Sequence, residues 1–194
     1  MPTAVHLTNA PELLFDAAER VLRRDGASAL TSRAVTTEAG VAKGVMHRHF
    51  VDFDAFLAEL ILDRAAQLDH SASAICDAAG TRTVVDNLVD VLVGLFTPLA
   101  VAIVALVITR DGLRARLANA GGARFPLIAE GSAIITAYLT LEQALGRVAA
   151  SADIPVLSHS IIGSVHLLFT GRESGPPDTE ALHKVVGTVV QAAV

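Results

Sequence analysis

The 194-residue chain has little cysteine, few aromatic residues and a low content of charge. Its single cysteine, Cys76, excludes an intrachain disulfide and a cluster of thiolates around a metal. Charged residues make up 18% of the chain, and the formal net charge is −5. This acidic balance excludes a protein that coats nucleic acid regardless of sequence. Met1 is not followed by the basic and apolar segments of a secretory signal, so we expect a cytoplasmic location.

The sequence also lacks any catalytic or phosphate-binding motif that spacing would reveal. There is no glycine-rich phosphate loop, and Cys76 has no base close to it in sequence. His47 and His49 are two residues apart, so a helix would point them in different directions. His159 and His166 share a helix face but have no third ligand nearby. We therefore expect neither an enzyme nor a bound metal or cofactor.

Hydrophobic residues are abundant instead, at 52% of the chain. Residues 91–109 carry no charge, and this run is long enough to cross a membrane. However, Pro98 interrupts the run, and no Trp or Tyr flanks it as an interfacial anchor. Proline is tolerated in the first turn of a helix, so two buried helices explain the run better than one span. Apolar residues recur at helical spacing elsewhere, which predicts an all-α fold without membrane insertion.

Residues 27–57 have the pattern of a helix-turn-helix. Thr31 can cap a first short helix that runs to about Ala39, because its hydroxyl can accept free backbone N–H groups. Gly40 then permits the left-handed turn that ends this helix and starts another at a steep angle. The second helix is expected over about residues 42–49.

This second helix is the candidate recognition helix. Met46, Phe50 and Val41 occupy its inward side. The first 50 residues hold six basic against five acidic residues, so only this part of the acidic chain tolerates phosphate. Charged and small residues suited to a DNA groove remain on the outward side: Lys43, Gly44, Val45, His47, Arg48 and His49.

In order and spacing, residues 11–57 resemble the N-terminal domain of TetR-family transcriptional regulators. The shared features are an apolar first helix ending at Asp25-Gly26, the turn at 38–41, and Arg48-His49-Phe50 before a new helix. The chain departs from the family's preferences at Ala42, Val45, His47 and Phe53. The resemblance implies binding to an operator in double-stranded DNA. The residues expected to contact DNA are Thr31, Arg33, Lys43, Gly44, Val45, His47, Arg48 and His49.

The rest of the chain is predicted to be a larger helical bundle. We expect a three-helix DNA-binding domain at 8–55 and a helical effector-binding and dimerisation domain at 56–194. Asn9 is expected to cap the first helix, and Asp52 the fourth, which would run to about His70. Later helices are predicted at about 82–96, 98–109, 112–119, 125–148, 154–170 and 178–193.

The last two helices have apolar stripes wider than one partner helix covers. Small residues at Ser160, Gly163 and Ser164 would let another helix approach closely. Ordinary core packing explains this pattern, and so does a four-helix bundle across a two-fold axis. The resemblance favours the second explanation and implies a homodimer held by the helices at about 154–170 and 178–193.

The predicted function is a sequence-specific repressor that a small apolar ligand releases from its operator. Such ligand sites are mostly apolar and contain a few polar groups. The predicted lining residues are Phe96, Ile103, Tyr138, Leu141, Glu142 and Phe169, although each could equally be a plain core or surface residue. The alternative is a helical ligand-binding or protein-interaction module with a degenerate helix-turn-helix.

Overall fold

A computed structural model describes residues 9–121, 123–171 and 177–191. These residues form helices and no strand, which confirms the all-α fold. The helices are α1 Ala10–Asp25, α2 Ser32–Glu38, α3 Gly44–His49, α4 Phe53–Ala66, α5 Asp69–Asp77, α6 Val84–Leu95, α7 Pro98–Ile108, α8 Asp111–Gly121, α9 Pro126–Ala144, α10 Ile154–Thr170 and α11 Thr179–Val190.

The chain divides into two compact units. Of the described residues, the first contains 9–63, 102–121 and 123–126, and the second contains 64–101, 127–171 and 177–191. Residues 56–63, 102–121 and 123–126 thus belong to the same compact unit as the N-terminal helices.

The first unit is built around the apolar face of α1. Leu14, Ala18 and Val21 on this face are buried, and α1 packs on both α2 and α3. The rings of Phe15, Phe50 and Phe56 meet beside it, with centroids 5.1–6.1 Å apart. Burial of such side chains contributes about 1.5–3 kcal/mol each, so the short helices α2 and α3 gain their stability from packing on α1 and α4 rather than from their own length.

The second unit has its own core, built from α5, α6, α9, α10 and α11. Helix α11 packs against both α6 and α10. The side chains at the centre of this core are fully buried and alternate at helical spacing along their helices; they include Leu88, Leu92, Tyr138, Ile161, Val165 and Val186.

Several predicted helix boundaries are confirmed. Helix α10 spans residues 154–170 as predicted, and α7 begins at Pro98, which splits the long apolar run. No single helix in the described ranges is long and apolar enough to cross a membrane, although α6 and α7 meet that test as a pair bent by 66° at their break. The last predicted helix is observed as α11, and residues 192 and 193 of its predicted range lie outside the described residues.

Other predicted boundaries were wrong. The Asn9 side chain makes no capping hydrogen bond to α1. The fourth helix does not continue to His70, because α4 ends at Ala66 and a separate α5 follows. Helix α9 stops at Ala144 instead of Val148, because Gly146 takes a positive φ of 74° and turns the chain back.

Candidate functional site

The turn between α2 and α3 is closed by the hydrogen bonds that its sequence predicts. The Thr31 hydroxyl accepts a hydrogen bond from the Ala34 amide at 3.1 Å and caps α2. At the other end Gly40 has a φ of +67°, and its amide donates to the Thr37 carbonyl at 3.1 Å. The Val41 amide donates to the Thr36 carbonyl at 3.0 Å, which completes a Schellman turn. This turn sets the direction in which α3 leaves α2.

Helix α3 is held in place from its inner side. Met46 and Phe50 are buried as predicted, and the Ser32 hydroxyl contacts the Met46 sulfur at 3.2 Å. The helix begins at Gly44 instead of Ala42, and Lys43 at its start makes no side-chain cap. The prediction that Val45 faces outward was wrong, since Val45 is 9% exposed. Helix α3 packs on α1 and buries two successive apolar side chains, Val45 and Met46. Burial of the valine side chain is favourable because it removes apolar surface from water.

The other predicted DNA-contacting residues lie on the surface. Thr31 and Arg33 are exposed on the α2 side. The exposed residues at the start of α3 and along it are Lys43, Gly44, His47, Arg48 and His49.

Ion pairs separate the cations of the N-terminal helices α1 to α3 into two groups. Glu38 on α2 binds Arg20 and Arg24 of α1, each at 2.9 Å, and Arg23 binds Glu19 at 3.0 Å. Hydrogen bonds from Arg24 and then Arg20 hold the pKa of Glu38 below its ordinary value, so the carboxylate is charged at neutral pH.

The cations of the helix-turn-helix form the second group. Arg33, Lys43 and Arg48 take part in no ion pair within the part of the chain that the structure describes. These cations on α2, on α3 and at the start of α3 are available to a phosphate backbone.

The start of α4, directly after α3, is tied to a distant segment of the same unit. Asp52 caps α4 by accepting the Ala55 amide at 2.7 Å, as predicted, and also accepts Arg116 at 2.7 Å. Asp54 accepts two hydrogen bonds from Arg110, at 2.6 and 3.0 Å. The Arg110 guanidinium also lies 5.4 Å from the centre of the Phe53 ring, which occupies one of the positions that depart from the family pattern. Sequence reasoning missed both arginines, because they lie 56 and 64 residues from their partners.

The six predicted effector-lining residues have different surroundings. Phe96 and Phe169 stack at a centroid distance of 5.2 Å. Tyr138 and Glu142 are fully buried in the same unit, whereas Leu141 is exposed. Ile103 is buried in the first unit.

Glu142 pairs with an arginine of its own chain. Its side chain is 0% exposed, and its Oε2 lies 3.1 Å from the Arg147 Nε. Its Oε1 accepts the Gly80 amide at 3.3 Å. Tyr138 accepts a hydrogen bond from Asn87 at 3.2 Å, and burial together with a hydrogen bond to Glu142 raises the pKa of the tyrosine hydroxyl. The carboxylate is therefore occupied by groups of its own chain.

The second unit also contains a cavity that sequence reasoning missed. It has a volume of about 390 Å³ and lies between α5, the turn at residues 81–82, and α6. No sequence motif marks it, because its wall consists of small and apolar residues at ordinary helical spacing together with Asn87, Arg82 and Asp90.

Known proteins resemble this chain in the sequence of its N-terminal part and in its fold. Residues 14–60 match the family "Bacterial regulatory proteins, tetR family", which confirms the resemblance. No curated protein sequence matches the chain. The fold is similar to that of a TetR-family transcriptional regulator of Agrobacterium tumefaciens, with a TM-score of 0.71, 11% identity and coverage of 97% of this chain and 99% of the other.

Two other solved structures are similar over nearly the whole chain. One is the transcriptional regulator FadR of Bacillus subtilis in complex with stearoyl-CoA, with a TM-score of 0.65, 18% identity and coverage of 94% and 99%. The other is SmeT, the repressor of the Stenotrophomonas maltophilia multidrug efflux pump SmeDEF, with a TM-score of 0.66, 16% identity and coverage of 95% and 90%. At these identities the likeness concerns the fold.

Proposed function

We propose that this chain, whose residues 14–60 form a TetR-family N-terminal domain, is a sequence-specific DNA-binding repressor that acts as a homodimer and is released from its operator by a small ligand. The observation that carries the proposal is the exposed face of α3. Lys43 and Arg48 are exposed there without an acidic partner among the described residues, while the arginines of α1 are neutralised by Glu38 and Glu19. Such a face suits contacts with phosphates and base edges.

Arg33, Lys43, His47 and His49 are the proposed phosphate contacts, and Gly44 and Arg48 are the residues proposed to lie nearest the bases. Thr31 is the remaining proposed DNA contact, because its exposed position close to Arg33 suits a contact with the DNA backbone. Arginine at a groove edge can bind guanine through two hydrogen bonds, so Arg48 is the proposed source of base discrimination.

The proposed dimer uses the outer face of α10. This helix contains no Asp, Glu, Lys or Arg over residues 154–170, although one of its faces is exposed. Val156 is 60% exposed and Leu167 is 71% exposed on this face. Exposed apolar residues on a helix without charge favour contact with a second copy, and a two-fold dimer presents two recognition helices about 34 Å apart.

The proposed repressor role requires a ligand that prefers the form unable to bind DNA. A tenfold loss of operator affinity corresponds to only about 1.4 kcal/mol of coupling. FadR holds stearoyl-CoA in its structure, and SmeT is the repressor of an efflux pump. These are properties of those two proteins, and they motivate the proposal that this chain is a repressor with a small ligand.

The DNA-binding proposal is tested by selecting duplexes from a random pool with the purified protein. Fluorescence anisotropy then compares the selected site with a scrambled duplex at several salt concentrations. We expect the selected site to bind at least about 1,000-fold more tightly, as specific sites do. Lys43→Ala should weaken binding to both duplexes and reduce the salt slope by about one unit, because the variant no longer neutralises a phosphate at this position.

Lys184→Ala is the matched control, because Lys184 is the only other lysine of the chain and lies on α11. It should leave affinity and slope unchanged. If no duplex is enriched, or if Lys43→Ala behaves like Lys184→Ala, the DNA-binding proposal fails and a helical ligand-binding or protein-interaction module becomes the better explanation.

A further inference from the structure

The cavity of the second unit lies between α5 and α6, and none of the six predicted lining residues is among those that form its wall. Its volume of about 390 Å³ falls in the range of small-molecule sites. Its apolar wall is formed by Ile75 of α5, by Ala78 directly after α5, and by Val91 and Gly94 of α6. Gly94 is exposed, and a side chain there would meet no atom within 4 Å of its Cβ, so there is room for a larger residue at this position.

Two opposite charges flank this apolar wall. Arg82 and Asp90 both line the cavity, and they form an ion pair with each other while remaining more than half exposed. An exposed pair of this kind contributes little stability, so a ligand can open it at small cost. A ligand with one charge would leave the other member of the pair without a partner. A zwitterion would replace one ion pair with two.

Hydrogen bonds to neighbouring groups hold the polar side of the cavity wall in place. The Asn87 carboxamide donates to the Ala78 carbonyl at 3.0 Å and to the Tyr138 hydroxyl at 3.2 Å. Arg147, paired with Glu142, donates to the carbonyls of Thr81 and Arg82. The turn that carries Arg82 is therefore fixed before a ligand arrives, and a fixed site loses less entropy on binding.

We propose that this cavity binds a small zwitterion with an apolar tail, of the amino-acid class. The Arg82 guanidinium binds the ligand carboxylate, Asp90 binds its ammonium group, and the tail lies against Ile75 and Val91. That this ligand is the effector which releases DNA rests on the proposed function. Binding of the ligand in the cavity is a separate property of the second unit.

Isothermal titration of the full chain without DNA tests the site with four probes that share a phenylalkyl tail. These are phenylalanine, phenethylamine, 3-phenylpropanoate and 3-phenylpropanol. We expect phenylalanine to bind at least tenfold more tightly than the other three. Arg82→Gln should lower its affinity to that of phenethylamine, and Asp90→Asn to that of 3-phenylpropanoate. Equal affinity for all four probes, or no binding, would overturn the site.

A steric pair of variants checks the location. Gly94→Leu should abolish binding by filling the cavity, whereas Gly94→Ala should retain it, and both replacements favour the helix. Binding that survives Gly94→Leu would also overturn the site. Operator affinity is then measured with and without phenylalanine. If phenylalanine binds in the cavity but does not change operator affinity, the binding site is confirmed and its role as the effector site is refuted. If the chain binds no DNA at all, the calorimetric test of the cavity still holds.

Discussion

Several residues of this chain make two contacts that are both needed for the local structure. Asp52 caps α4 with one carboxylate oxygen and binds Arg116 with the other. His183 on α11 does the same across the second unit, since one ring nitrogen contacts the Thr179 carbonyl at 2.9 Å and the other contacts Asp86 on α6 at 3.1 Å. Helix α11 is thereby tied to α6 by a pair whose charge depends on pH.

This histidine gives a prediction for the pH dependence of stability. The Thr179 carbonyl and then Asp86 raise the pKa of His183 above its ordinary value, because both favour the imidazolium. A raised pKa means that the contribution to stability is fully present below about pH 6.5 and is lost as pH rises through the folded-state pKa. The pKa of Asp86 is lowered, by Thr83 and then by His183, so its contribution disappears only in acid.

We therefore expect His183→Gln to lower the midpoint of thermal unfolding more at pH 6 than at pH 8. The effect should be small, because the pair is partly exposed and screened by solvent. Thr188→Val, an exposed position on the same helix without a titratable group, is the control and should show the same difference at both values of pH. A loss for His183→Gln that does not change between pH 6 and pH 8 would mean that the contact does not depend on protonation.

At the scale of elements, the turn between α2 and α3 depends on one glycine. Gly40 has a positive φ, and a Cβ there would meet no atom within 4 Å, so a substitution costs backbone strain and nothing else. Gly40→Ala should lower the free energy of unfolding by about 1–2 kcal/mol in chemical denaturation. Gly40→Asn should cost less, because asparagine tolerates the left-handed region.

Gly44 offers the same substitution with the opposite expectation. It also has open space around it, but it lies in α3 without a positive φ. Gly44→Ala should leave stability unchanged or raise it, because alanine favours a helix. If both glycines respond alike, the left-handed turn does not limit the stability of this unit.

The elements also show what could be predicted from the sequence. Apolar periodicity and local capping identified nearly every helix, and Thr31, Gly40 and Pro98 fixed boundaries because their effects act within one turn of chain. The break between α4 and α5 has no glycine or proline to mark it. Val45 was misplaced because a six-residue helix is too short for periodicity to orient.

The partners of the site residues were harder to predict than the residues themselves. Glu142 was identified as a polar residue in an apolar segment, but its neutralisation by Arg147 depends on the turn that Gly146 makes. The cavity depends on the distance between α5 and α6, which sequence spacing does not give. Interactions across tens of residues thus required the folded chain.

At the scale of the whole molecule, the proposed function requires two copies. Val186→Asp on α11 would be a poor test of the dimer, because Val186 is fully buried in the core of its own chain. A charge there would cost several kcal/mol of folding stability and would not report on association. The exposed residues of α10 give a cleaner test.

Leu167→Glu should convert a dimer into a monomer at micromolar concentration, as measured by light scattering, because it places a charge on the uncharged outer face of α10. The fold should survive, since Leu167 is 71% exposed in the single chain. Val51→Glu is the matched control: Val51 is 90% exposed in the other unit, so the variant should remain a dimer. A protein that is a monomer before any substitution would refute the dimer.

The same variant tests whether two recognition helices bind DNA together. If two α3 helices occupy two half-sites, the second binding event is intramolecular and raises the affinity by about 100-fold or more over one helix alone. Leu167→Glu should remove this increase and should also halve the salt slope, because each protomer then neutralises only its own phosphates. If the monomeric variant keeps full affinity for the selected duplex, one chain is sufficient for recognition, and the site that it reads is not a palindrome.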